Sequence, residues 1–137
     1  MKVIIKTDGA SRGNPGPSGI GAVIRNEMGK VIASISQPIG LATNNQAEYR
    51  AVIAALEKVM KLGVNQVDLR TDSELIVRQV SGRYRVKEVS LKPLCLRVKQ
   101  LQRQFQSCVI THVAGVENDE AHNLANRTLS QPGGTVL

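Results

Sequence analysis

Aromatic side chains are scarce in this 137-residue chain, with one Phe, two Tyr and no Trp, or 2% of the residues. That scarcity disfavours a single-strand binder that stacks bases on aromatic platforms. Cysteine is nearly as rare. Cys95 and Cys108 form no CxxC motif and have no partners at metal-ligand spacing. They exclude a disulfide framework and a zinc module, and read as buried free thiols in a reducing cytoplasm. Long apolar runs are missing too: the longest is Ala51 to Leu56, against the roughly 20 residues a membrane helix needs. The first residues, Met-Lys-Val-Ile-Ile-Lys, lack the apolar core and cleavage site of a signal peptide. There is no low-complexity tract and no internal repeat. With 42% hydrophobic and 21% charged residues, the composition is globular rather than disordered or collagenous. The expectation is one domain over residues 1–130, followed by a frayed tail at 131–137.

Positive charge is present in excess, and it is confined. The formal net charge is +7. Eight basic residues and one acid, Glu88, lie between Arg78 and Arg103, so that segment alone carries +7 and the remainder is neutral. Such a segment is either a solvated helix face with its loop or the footprint of a polyanion.

The pattern along the chain predicts strands over 2–8, 19–26 and 30–38, the last two joined as a hairpin through Glu27-Met28-Gly29. The stretch from Gly9 to Pro17 is dense in punctuation residues and reads as a turn. Thr43-Asn44-Asn45-Gln46 has the form of a capping box, and helical spacing continues to Leu62 before Gly63. A strand over 66–71 precedes a helix starting near Asp72 or Ser73 and ending at Ser81-Gly82. A turn, a helix over 92–105, a strand over 108–113 and a helix over 118–129 follow. The order predicts an α/β fold on a five-stranded mixed sheet flanked by helices.

Three carboxylates stand out. Asp8 ends the first strand and Asp72 ends or follows the fourth. If those strands are parallel neighbours, both acids emerge at the carboxyl edge, where open α/β sheets place their sites. Either one also fits a helix cap. Glu48 falls within about 40° of Val52, Ala55 and Val59 on a helical wheel, opposite Arg50, Glu57 and Lys61. An inward carboxylate needs an amide donor, a base or a metal. Together Asp8, Glu48 and Asp72 suit a hard-oxygen cage for Mg²⁺ or Mn²⁺. Two such cations about 4 Å apart activate a water and stabilise the leaving oxygen of a phosphodiester.

At these positions the sequence resembles the type 1 ribonucleases H. The matching blocks are Thr7-Asp8-Gly9-Ala10-Ser11-Arg12-Gly13-Asn14-Pro15-Gly16, Thr43-Asn44-Asn45-Gln46-Ala47-Glu48-Tyr49 and Thr71-Asp72-Ser73-Glu74-Leu75. Val116-Glu117-Asn118 through Leu124-Ala125-Asn126 is similar to the family's final helix. The resemblance implies a ribonuclease H-like sheet whose first three strands are antiparallel and whose others are parallel. It also implies metal-dependent endonucleolytic cleavage of the RNA strand of RNA–DNA hybrids, giving 5′-phosphate and 3′-hydroxyl ends. Asp8, Glu48 and Asp72 match three of the family's four acidic ligands. Asn14, Asn44 and Asn45 would touch 2′-hydroxyls or base edges in the hybrid's minor groove, and Thr43 a DNA phosphate.

The chain departs from the family at two points. The fourth acidic position is His122, at the flank of the stripe Ala121, Leu124, Ala125 and Thr128, while Asp119 and Glu120 point away. The loop ahead of this helix, where related enzymes place an Arg or His, reads Ala114-Gly115-Val116. The basic helical insertion of some members is also absent, and the charge lies along residues 78–103 instead, with Arg83 and Arg85 as phosphate contacts. His122 as an auxiliary metal ligand or proton carrier makes the cage softer and less anionic, which favours Mn²⁺ over Mg²⁺. The expected protein is a cytoplasmic monomer with no membrane contact. The competing reading is a hybrid- or duplex-binding module of the same fold with weakened catalysis.

Overall fold

The computed structural model describes residues 1–129, so the expected tail at 131–137 lies outside the described residues. Five strands form one sheet in the order β3-β2-β1-β4-β5: β1 (Lys2–Ser11), β2 (Gly16–Asn26), β3 (Val31–Ala42), β4 (Gln66–Thr71) and β5 (Ser107–His112). β1 pairs antiparallel with β2, and β2 with β3, while β1–β4 and β4–β5 are parallel. The expected fold class holds.

Helices α1 (Asn44–Lys61), α2 (Glu74–Val80) and α3 (Lys92–Gln102) enclose the main core against one face. Val3, Ile5, Ala22, Ile24, Val67 and Leu69 of the sheet meet Tyr49, Val52, Leu56, Ile76, Val98 and Leu101 there. The last helix, α4 (Asp119–Arg127), lies on the opposite face, against β1, β2 and β3. Its fully buried residues, Ala121 and Ala125, face the sheet. A residue with so small a side chain lets the helix axis come close.

Several edges differ from the expected ones. β1 runs on to Ser11 and β2 begins at Gly16, so the punctuated stretch is mostly strand, and β3 continues to Ala42. Gly9, read as part of a turn, and Gly21, within a predicted strand, both admit a helix. A Cβ on Gly9 would overlap the backbone of Ala47 and Glu48, and one on Gly21 would overlap the backbone of Ala121 and Ala125. These glycines let α1 and α4 press onto opposite faces of the sheet. α3 stops at Gln102, three residues early, and Phe105 is buried beyond its end. Both cysteines are free, Cys95 buried and Cys108 only half-buried.

Candidate metal centre

α1 is fixed at its start by the capping box that the sequence suggests. The Thr43 hydroxyl accepts from the Gln46 amide at 3.1 Å, and the Gln46 side chain accepts from the Thr43 amide at 2.8 Å. This reciprocal arrangement sets Glu48 in the first turns of a rigid helix. Because Gly9 brings α1 against β1, the amide of Gly9 donates to Glu48 Oε1 at 2.7 Å. The inward glutamate thus finds its amide donor.

Asp8 lies beside Gly21 across the β1–β2 pair, and Thr7 lies beside Thr71 across the parallel β1–β4 pair. That register places Asp72, one residue beyond β4, level with Asp8. Carboxylate oxygens of Asp8, Glu48 and Asp72 all lie within 4.8 Å of one another. The fit to a divalent cation is good on both chemistry and electrostatics. Three hard oxygen donors converge, and burial together with neighbouring charge makes Asp8 and Glu48 hold their protons more tightly than free carboxyls. Burial, and then the neighbouring Asp8, push the Glu48 carboxyl up to about 10. Burial, and then Asp72, raise Asp8, with His122 and Glu48 partly offsetting this. A cation removes that repulsion.

His122 joins the group through Asp8. Its Nδ1 lies 2.8 Å from Asp8 Oδ2, and the Asn126 amide stands 3.2 Å from its Nε2. The ring remains more than half exposed. Among the described residues the mutually close set is the three carboxylates, and His122 borders it. Glu120, expected to point away, pairs with Arg25 of β2 at 2.8 Å, and Asp119 is exposed.

The segment between β5 and α4 borders the same site. Lys6 Nζ donates to the Glu117 carbonyl at 2.8 Å, and Asn118 Nδ2 donates to the Thr7 carbonyl at 2.7 Å. Asn118 is fully buried, and its Oδ1 and the Thr7 hydroxyl are the buried side-chain oxygens without a partner among the described residues. Leaving such groups unpaired costs about 1–3 kcal/mol each. Gly115 passes beside Asp72: a Cβ there would lie 3.8 Å from Asp72 Oδ2. His112 ends β5 opposite Thr71 and is exposed in a groove of about 560 Å³ with Glu74, Arg78 and Arg83.

The proposed substrate residues divide by location. Asn14, Thr43, Asn44 and Asn45 gather at the start of α1, where Asn14 Oδ1 accepts from the Asn44 amide at 3.0 Å. Arg83 and Arg85 are exposed on the segment after α2. There the Arg78 carbonyl accepts from the amides of Arg83 and Tyr84, and the Arg78 guanidinium lies 5.3 Å from the Tyr84 ring centre. Sequence reasoning found all the acids but missed Asn118. Its one visible signal was a polar residue directly ahead of the final helix.

The model of the reverse transcriptase-like family matches residues 6–128. The chain belongs to that family, among the type 1 ribonucleases H. Within the family it is 45% identical over 127 residues to a bifunctional protein of Mycobacterium tuberculosis, covering 92% of this chain and 35% of that protein. It thus spans about a third of that relative's length. The crystal structure of RNase H1 from Halobacterium salinarum superposes with a TM-score of 0.92 at 41% identity, covering 94% of this chain and 98% of that one. LC11-RNase H1, solved in complex with an RNA/DNA hybrid, gives 0.86 at 42% identity, covering 93% and 99%.

Proposed function

We propose that this protein hydrolyses the RNA strand of RNA–DNA hybrids endonucleolytically, with a divalent cation, leaving 5′-phosphate and 3′-hydroxyl ends. The observation that carries this reading is the convergence of Asp8, Glu48 and Asp72 at the carboxyl edge of the sheet. The likeness to LC11-RNase H1, crystallised with such a hybrid, supports the substrate class. When bound, the cation supplies an activated water and charge neutralisation at the phosphodiester.

Asp8 is the central ligand, sharing its neighbourhood with both other acids and with His122. Glu48, held by the Gly9 amide, and Asp72 complete the donor set. His122 adds a nitrogen donor at its border, which shifts preference from Mg²⁺ toward Mn²⁺. Asn14, Asn44 and Asn45 read the minor groove, where the 2′-hydroxyl marks a strand as RNA. Thr43 holds a phosphate of the DNA strand, while Arg83 and Arg85 add affinity through phosphates. Residues 1–130 act as one catalytic domain, working as a monomer in the cytoplasm. No helix among the described residues is long and apolar enough to cross a membrane.

Labelling each strand of a hybrid in turn tests the substrate assignment. Cleavage confined to the RNA strand, with no cutting of duplex DNA, is the expected result. Retention of the hybrid without cleavage in either Mg²⁺ or Mn²⁺ would establish the binding-module reading instead.

A further inference from the structure

We infer that Asn118 is a positioning residue for the metal centre, acting by seating α4 so that His122 meets Asp8. This rests on the reading of Asp8 and His122 given above.

Asn118 immediately precedes α4, and its side chain caps nothing in that helix. Instead it reaches across to β1 and donates to the carbonyl of Thr7. His122 follows four residues later, on the same side of the helix, and meets Asp8, the next residue of β1. Two successive turns at the start of α4 therefore engage two successive residues of β1. One contact is a buried amide-to-carbonyl bond and the other is at the metal site. Ala121 and Ala125 fix how closely α4 lies on the sheet, while its polar ties to β2 and β3, Arg25 to Glu120 and the Ser36 hydroxyl to the Leu124 carbonyl, are exposed. The bond from Lys6 to Glu117 is exposed, which leaves Asn118 as the buried polar tie of this turn to β1.

A residue kept only for packing at this fully buried position would be apolar. Asn118 is polar, and leaves its own Oδ1 and the adjacent Thr7 hydroxyl unpaired among the described residues. The retained function of the side chain is its N–H donor, aimed at the residue before Asp8.

The test is Mn²⁺ affinity measured by titration calorimetry without substrate, on wild type, Asn118→Ala, Asn118→Leu, His122→Ala and the Asn118→Ala/His122→Ala double variant. Partners that orient metal ligands typically change affinity by about 10- to 100-fold. The single Asn118 variants are expected to weaken Mn²⁺ binding by about tenfold. They should lower kcat while leaving the KM for hybrid within about twofold. Once His122 is gone, losing Asn118 should change Mn²⁺ affinity by less than about twofold, because the two act in series. Asn118→Leu keeps the branching of the side chain without its polar atoms and so leaves no cavity. Unchanged Mn²⁺ affinity, an equal loss with and without His122, or failure of both Asn118 variants to fold would each overturn the positioning role. If wild type binds Mn²⁺ yet cleaves no hybrid, the proposed activity fails while the affinity series still decides the role of Asn118.

Discussion

His122 Nδ1 stands 2.8 Å from Asp8 Oδ2, joining a residue of α4 to one of β1 across 114 positions of chain. Gly21 makes the approach feasible. It lies beside Asp8 in the β1–β2 register and admits the α4 backbone directly onto the sheet. The histidine therefore occupies the border of a cage otherwise built of carboxyl groups.

Restoring a carboxylate at that border should change metal selectivity. In His122→Asp, Mg²⁺-supported cleavage is expected to rise, and the ratio of Mn²⁺ to Mg²⁺ rates to fall by about tenfold. Steady-state rates with each metal check this. Equal wild-type rates in the two metals would remove the argument for a Mn²⁺ preference.

Arg83 and Arg85 lie on the exposed segment after α2, apart from the three acids. Phosphate contacts position substrate and carry the salt dependence of binding. The Arg83→Glu/Arg85→Glu variant should raise KM about tenfold and leave kcat within about twofold. The slope of log affinity against log salt should fall by about two. A collapse of kcat at saturation would place these residues inside the reacting centre.

The close approach of α1 to β1 depends on Gly9, where a Cβ would overlap the Ala47 and Glu48 backbone. Gly9→Ala is expected to destabilise the fold by about 1–3 kcal/mol, the usual range for overpacking. It should also lower activity by displacing Glu48 from the Gly9 amide. Denaturant unfolding and hybrid cleavage measured together check both effects. Stability equal to wild type would contradict the packing seen here.

The acids, the capping box and the α/β order could be read from the chain because each has a local signature. Asp72 directly follows an apolar strand, Asp8 follows the apolar start of β1 but lies within that strand and not at its predicted end, Glu48 sits on an apolar helix face, and Thr43 and Gln46 have capping spacing. The ends of β1 and β2 were obscured because Gly9, Gly13, Pro15 and Gly16 look like turn residues. Whether a glycine bends the chain or admits a neighbouring helix depends on tertiary packing, which local spacing does not encode. The contact of Asn118 was hidden for a related reason: its bond to Thr7 spans 111 residues and leaves no periodic trace.

The acidities of the cage give a pH prediction for the metal-free protein. Burial and neighbouring charge hold the Glu48 and Asp8 carboxyls above their ordinary values. The folded chain then binds more protons than the unfolded one, so stability falls as pH rises above the ordinary carboxylate range of about 4. For Glu48 the loss continues until pH passes about 10. Mg²⁺ or Mn²⁺ competes with those protons and binds the folded state, so its stabilising effect should grow with pH. Melting temperatures at about pH 6 and about pH 8, with chelator or with added metal, check the sign. A metal-induced shift that shrinks as pH rises would contradict it.

The most direct test is cleavage of a hybrid with end-labelled RNA by wild type and Asp8→Asn, each with and without Mn²⁺. Asp8→Asn retains the shape of the site and removes the charge at its centre. The expected result is cleavage only by wild type with metal, and hybrid binding by both proteins. Metal-independent cleavage, or equal cleavage by Asp8→Asn, would contradict a reaction organised by Asp8, Glu48 and Asp72.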